Sequence, residues 1–232
     1  MRTMKRIFTL ITLIALSITV LSAPLRQNGK YWLDISLSGE VGNSPFQYLV
    51  NHQLRLQNGP QLFQEAIFRG GIGYTLHPNI VVWLGTDLIP NINVNTDALL
   101  YEQRIWQQAS VTWLKHASFN FATRSRLEER FRHGQTGVGL RWRQRFALTI
   151  NHLNGSKYSP IISDELLLLL NHPTWLTDRV VDQNRFLIGV KMPCTPHVAM
   201  TIGYLNQFLF RAQGDAMNHI LYVAFSARHN IG

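Results

Sequence analysis

Alternation with a period of two runs along this chain from about residue 30 to residue 227, and it constrains the fold more than any single motif. In FNFATRSRLEERF, residues 119–131, the even positions carry Asn120, Ala122, Arg124, Arg126, Glu128 and Arg130. The odd positions carry Phe119, Phe121, Leu127 and Phe131, with Glu129 as the exception. A helix would scatter these charges around its circumference, whereas a strand sorts them onto one ionic and one apolar face.

The same sorting recurs in FQYLVNHQLRLQ, where Phe46, Tyr48, Val50, Leu54 and Leu56 oppose Gln47, Asn51, Gln53 and Arg55. It recurs again in AIFRGGIGYTL and in VGLRWRQRFALTI, where Arg141, Arg143 and Arg145 stand against Leu140, Trp142 and Phe146. Further strands are predicted at roughly 30–40, 80–89, 99–114, 160–171, 183–192, 197–208 and 218–227, separated by turn chemistry such as HPN at 77–79 and MPCTP at 192–196. The class is all-β.

A soluble barrel would alternate too. Here the apolar face is rich in aromatic residues, and the strands exceed the about 9–11 residues that cross a bilayer at a tilt. The polar face holds glycines, amides and arginine–glutamate combinations, as a crowded lumen requires. In lipid an open sheet leaves its edge groups unsatisfied, so the sheet must close. These features predict a transmembrane antiparallel up-and-down β-barrel of about 10–12 strands. The pattern itself yields about eleven, whereas bacterial single-chain barrels have even numbers. The even count requires either that residues 30–40 stay out of the wall or that two strands are merged in the reading.

The chain opens MRTMKRIFTLITLIALSITVLSAP, a basic start followed by an apolar run ending in small residues, the layout of a secretory signal peptide. Pro24 hinders cleavage after Ala23, so the expected signal is residues 1–22, with residues 23–232 forming one barrel domain. Without Arg2, Lys5 and Arg6, 19 basic residues oppose 13 acids, a formal charge of +6. Only Lys30, Lys115, Lys157 and Lys191 are lysines after residue 22; arginine occupies the alternating segments. Its planar fork suits charges that face one another in a confined space. The single Cys194 excludes an intrachain disulfide.

Five segments carry a resemblance in order: LLYEQRIWQQ at 99–108, TRSRLEERF at 123–131, GVGLRWRQRF at 137–146, DQNRFLIGVKM at 182–192 and IGYLNQF at 202–208. Together they resemble the bacterial outer-membrane proteins grouped as domain of unknown function 2490. The resemblance implies a β-barrel in the outer membrane of a Gram-negative bacterium and no established activity. Such barrels commonly end on an aromatic residue; this sequence ends FSARHNIG, and its predicted last strand, HILYVAF, stops earlier.

The candidate site is a lumen ionic network of Arg55, Glu65, Arg69, Glu102, Arg104, Arg124, Arg126, Glu128, Arg130, Arg141, Arg143, Arg145, Glu165 and Arg185. Buried charges need partners, so the network reads first as a structural filling of the barrel. Its surplus of arginine suits a narrow pore for small anions, which is the leading function; a structural or surface-interaction barrel plugged by this network is the alternative. A lipid-modifying enzyme is the third class: His152, His219 and His229 lie near strand ends, with Asn151, Ser156 and Ser159 close to His152. No nucleophile motif such as GxSxG accompanies them, so no catalytic residue is assigned. No HExxH or EF-hand spacing calls for a metal, and no cofactor is expected. The expected partners are outer-membrane lipid, the barrel-assembly machinery and small anionic solutes, but not nucleic acid. Trp32, Trp83, Trp106, Trp113 and Trp142 are candidates for interfacial girdles, although Trp106 is in phase with the lumen row. LLLLL at 166–170 reads as part of a lipid-contacting strand.

Overall fold

The computed structural model describes residues 26–57, 62–92, 99–151, 153–211 and 214–231. Residues 1–22, the expected signal peptide, lie outside them, as does His152. Eleven strands form one closed barrel: β1 (Arg26–Glu40), β2 (Phe46–Gln57), β3 (Leu62–His77), β4 (Ile80–Ile92), β5 (Leu99–Lys115), β6 (Phe119–Arg132), β7 (Gly139–Ile150), β8 (Ser159–Leu169), β9 (Val181–Pro193), β10 (Val198–Leu209) and β11 (Ala216–Arg228). Among the described residues no helix is long and apolar enough to cross a membrane.

The odd count is genuine, and neither way of avoiding it holds. β1 joins the wall on both sides, antiparallel to β2 and parallel to β11. The all-antiparallel expectation is thereby corrected at one seam, since with eleven strands the first and last run in the same direction. The seam continues past β11, where Val41 bridges Ile231 in parallel and Arg228 pairs with Glu40 at 2.7 Å. The Tyr48 hydroxyl also donates to the His229 carbonyl at 2.7 Å.

Segments 41–45, 78–79, 116–118, 151–158 and 194–197 connect strands at one rim, here the turn rim. Segments 133–138 and 170–180 connect them at the other, the loop rim, where β2, β4 and β10 also end and β3, β5 and β11 begin.

Alternation decides which side chains face out. Ile35, Val50, Phe68, Ile72, Leu84, Ile188 and Leu221 are exposed on the outer surface, in the manner of a lipid-facing belt. Of the leucine run, Leu166, Leu168 and Leu170 alternate with Leu167 and Leu169, which are buried in the interior. Trp32 and Trp106 are buried inside rather than placed in a girdle. Trp113 is the one that stands well exposed on the outside.

The outer belt is interrupted by polar side chains beyond Glu129. Ser125 bonds Gln144, and Asn184 donates to Asp164 at 3.0 Å. Both sets lie between apolar neighbours such as Phe121, Leu127, Ile162 and Leu166.

Candidate functional site: the charged interior

The register of β5, β6, β7 and β8 builds the interior. Trp106 faces Glu128, and Glu128 faces Arg141; one step toward the turn rim, Gln108, Arg126, Arg143 and Leu167 stand in a row. One step further, Ser110, Arg124, Arg145 and Glu165 follow, and Arg185 of β9 stands beside Glu165. All fourteen candidates point into the barrel, and each except Arg145 takes part in an ion pair.

Glu128 is 0% exposed and forms the centre. One of its oxygens accepts from Arg141 Nε and Nη2 at 2.9 and 2.6 Å, and the other accepts from Arg143 Nη1 at 2.7 Å. Arg143 reaches on to Glu165 at 2.8 Å, which also accepts from Arg124 at 2.5 Å and lies 3.5 Å from Arg185. Toward the loop rim, Glu102 holds Arg104 at 2.6 Å and Arg130 at 2.8 Å. Arg55 pairs with Glu65 and stacks over Trp32 at 3.9 Å. Arg126 stacks over Trp106 at 4.1 Å and bonds the Gln108 side-chain oxygen at 2.6 and 2.9 Å. Flat aromatic faces thus support guanidiniums beside their polar partners.

Two carboxylates of the network escaped the sequence reading. Asp87 takes a two-pronged pair from Arg69, both bonds at 2.8 Å. It is in phase with Trp83 and Gly85, so the alternation did contain that signal. Asp182 pairs with Arg141 at 3.1 Å and Arg211 at 3.0 Å. Here the register slips at Leu167/Leu168, and Asp182 and the adjacent Gln183 are both buried. A bulge breaks period two, and strict alternation cannot indicate it.

The rest of the circumference at this depth is closed by amides. Gln207 donates to Gln183 at 2.6 Å, Asn218 to Gln207 at 2.8 Å and Asn28 to Asn218 at 3.2 Å, carrying the hydrogen-bonded ring from β9 to β1. Wall glycines make room for the central ring. A Cβ on Gly71 would sit 2.6 Å from the Trp106 ring, and one on Gly85 would sit 2.1 Å from it, so the indole lies flat against the bare backbone. At the loop rim, Trp175 lies beneath Arg130 at 5.4 Å, and Trp175 and Leu176 pack against Gly139.

On the turn-rim side of this layer lies a half-open cavity of about 240 Å³. Its wall includes eight arginines and two acids, Asp34 and Glu165. Past Arg124, Arg145, Leu187 and Leu205 the inward positions become Ala122, Ala147, Gly189 and Gly203, so the bore widens toward the turn rim. The interior is a vestibule with a charged floor.

Of the three histidines named for the enzyme reading, His152 lies outside the described residues. His219 faces outward on β11, with Nδ1 2.6 Å from the Tyr204 hydroxyl and Nε2 3.2 Å from Gln27. Asn151 donates to the His116 carbonyl at 3.1 Å.

The fold is similar to that of the NanC porin, with a TM-score of 0.51 at 15% identity, covering 82% of this chain and 89% of that one. LpxR from Salmonella typhimurium is also similar, with a TM-score of 0.45 at 10% identity, covering 74% and 80%. At these identities the first likeness concerns the fold alone, and the second carries no argument. No curated protein matches in sequence. A closed wall with an apolar exterior and a polar interior is the architecture of the bacterial outer membrane, and that is where this barrel belongs. The family described as Protein of unknown function (DUF2490) matches residues 29–218, from within β1 to within β11, and the chain belongs to it.

Proposed function

We propose that this barrel is plugged: its ionic network shuts the lumen to bulk flow, and what it offers solutes is a cationic vestibule entered from the turn rim. The observation that carries this reading is the complete burial of Glu128, whose two oxygens are held by Arg141 and Arg143 from the neighbouring strand, beside Trp106, which is equally buried. Ions that leave water for so confined a place stay there only when paired, and a centre where Glu128, Trp106 and Arg126 are all closed off from solvent leaves no continuous aqueous path beside them. Planar-bilayer recording of the refolded protein tests it. A silent wild type and a conducting Glu128→Gln variant are expected; steady wild-type conductance would reject the plug.

A second reading, a narrow anion-selective pore, is favoured by the surplus of arginine around the vestibule. It requires wild-type current with an anion-biased reversal potential under a salt gradient. Changing Arg141, Arg143 and Arg145 together to Gln should then reduce that bias.

A further inference from the structure

Four arginines of the vestibule, Arg124, Arg126, Arg145 and Arg185, share too little negative charge. Arg55, Arg69, Arg104 and Arg143 have carboxylates below, in Glu65, Asp87, Glu102 and Glu128. Of the other four, only Arg124 and Arg185 pair with Glu165, and Arg143 already holds both of its oxygens, at 2.8 and 2.9 Å. Arg124 reaches Glu165 at 2.5 Å and Arg185 comes no nearer than 3.5 Å. Arg126 is 1% exposed; it bonds an amide, lies 3.9 Å from Glu128, and its Nη1 makes no hydrogen bond. Arg145 pairs with no carboxylate among the described residues. Asp34, the other acid of the vestibule wall, is turned to Asn51 and Gln53 on the opposite side.

The register sharpens the imbalance. Arg124 stands directly across from Arg145, and Arg126 directly across from Arg143, so two like-charged cross-strand pairs are stacked on one wall. Such pairs repel. Arg124 Nε, like Arg126 Nη1, is buried without a partner on that same wall. A buried guanidinium nitrogen with nothing to donate to is costly, and planar forks of this kind match the oxygens of a carboxylate or phosphate.

We propose that Arg124, Arg126 and Arg145 form an oxoanion site in the vestibule, which takes a single phosphate or carboxylate group presented from the turn rim. The proposal rests on the plugged reading, in which an anion that enters is held against the charged floor rather than passed on. The cavity of about 240 Å³ suits a compact anion, and the plug excludes a threaded polymer. Free phosphate and the acid group of a small organic molecule share this chemistry.

The test is calorimetric titration of the full-length mature barrel, refolded in neutral detergent, with inorganic phosphate and separately with acetate. Wild type should bind at least one of them, and an Arg124→Gln/Arg145→Gln variant should bind it at least ten-fold more weakly. Phosphate binding without acetate binding would mark a phosphate site, and the reverse a carboxylate site. Arg228→Gln, which removes a pair at the turn rim outside the vestibule, should bind as wild type does. Arg145→Gln alone breaks no ion pair and serves if the double variant fails to fold; a three-fold or greater loss is expected. Absence of binding to wild type, or equal binding by wild type and the arginine variants, would overturn the site. Bilayer recording keeps the two ideas separate: a silent barrel that binds neither anion loses the site and keeps the plug, whereas a conducting barrel loses the plug while titration still decides the site.

Discussion

Trp106 donates its indole N–H to Asp87 at 2.7 Å, tying β5 to β4 where neither side chain reaches solvent. Asp87 is simultaneously clamped by Arg69, and the face of the Trp106 ring carries Arg126. One indole therefore fixes a carboxylate, a cation and two strands. Replacing Trp106 with Phe keeps most of the ring and removes the donor. A loss of about 1–3 kcal/mol is expected from the buried acceptor left short of a bond, read as a lower urea midpoint for the refolded barrel.

The bare backbone beneath that ring gives a second expectation. Gly71→Ala drives a methyl group into the Trp106 ring and should cost about 1–3 kcal/mol through overpacking. In the Trp106→Phe background the smaller ring leaves room, so the same substitution should cost less. Equal costs in the two backgrounds, measured as urea midpoints, would show that the contact is not what reserves the position for glycine.

Glu128→Gln removes the charge that Arg141 and Arg143 share, leaving Arg141 with Asp182 and Arg143 with Glu165. Removing one partner from a buried ion pair typically costs about 3–5 kcal/mol. The variant should unfold at lower urea than wild type, and its refolded form should show current in planar bilayers where wild type is silent.

On the outer face, Phe121→Arg should impair folding into bilayers by roughly 2–4 kcal/mol near the midplane. Asp164→Leu should act in the opposite direction and stabilise by up to about 2 kcal/mol, because it removes a carboxylate flanked by Ile162 and Leu166 from the apolar belt. Folding titrations into lipid vesicles measure both. A destabilised Asp164→Leu would show that its bond to Asn184 outweighs the cost of facing lipid.

Periodicity located the wall because burial imposes it. Every predicted segment from 30–40 to 218–227 became a strand, since a lumen on one side and lipid on the other punish any slip of a single residue. The parity of the barrel was not legible, because no side chain on β1 announces whether its second neighbour is parallel or antiparallel. The interior was read incompletely for two different reasons. Asp87 followed the alternation and was overlooked, whereas Asp182 sits on a bulge that alternation cannot express. The misplaced tryptophans have a third cause. Trp32 and Trp106 resemble girdle residues in isolation, and only the arginines stacked on them show why they are inside.

The single cysteine makes sidedness measurable. Cys194 is exposed in the 194–197 connection at the turn rim, and Thr174 is exposed in the 170–180 connection at the loop rim. Short connections typically face the periplasm and longer ones the exterior. A membrane-impermeant maleimide should therefore leave Cys194 unlabelled on intact cells and label it after the outer membrane is permeabilised. Thr174→Cys in a Cys194→Ser background should label on intact cells.

The parallel seam also sets an order of events. Ten of the eleven ladders join strands adjacent in sequence, so each forms locally as the wall grows hairpin by hairpin. The eleventh brings together partners 190 residues apart, as Asn28 and Asn218 are, and its loop-closure entropy alone is about 5 kcal/mol. Closure is thus the one step of high contact order in an otherwise local folding path, and slow folding of this barrel is the slowness of β1 finding β11. Until that encounter both strands expose unpaired edges, and amide protons on β1 and β11 are the last to gain protection from exchange.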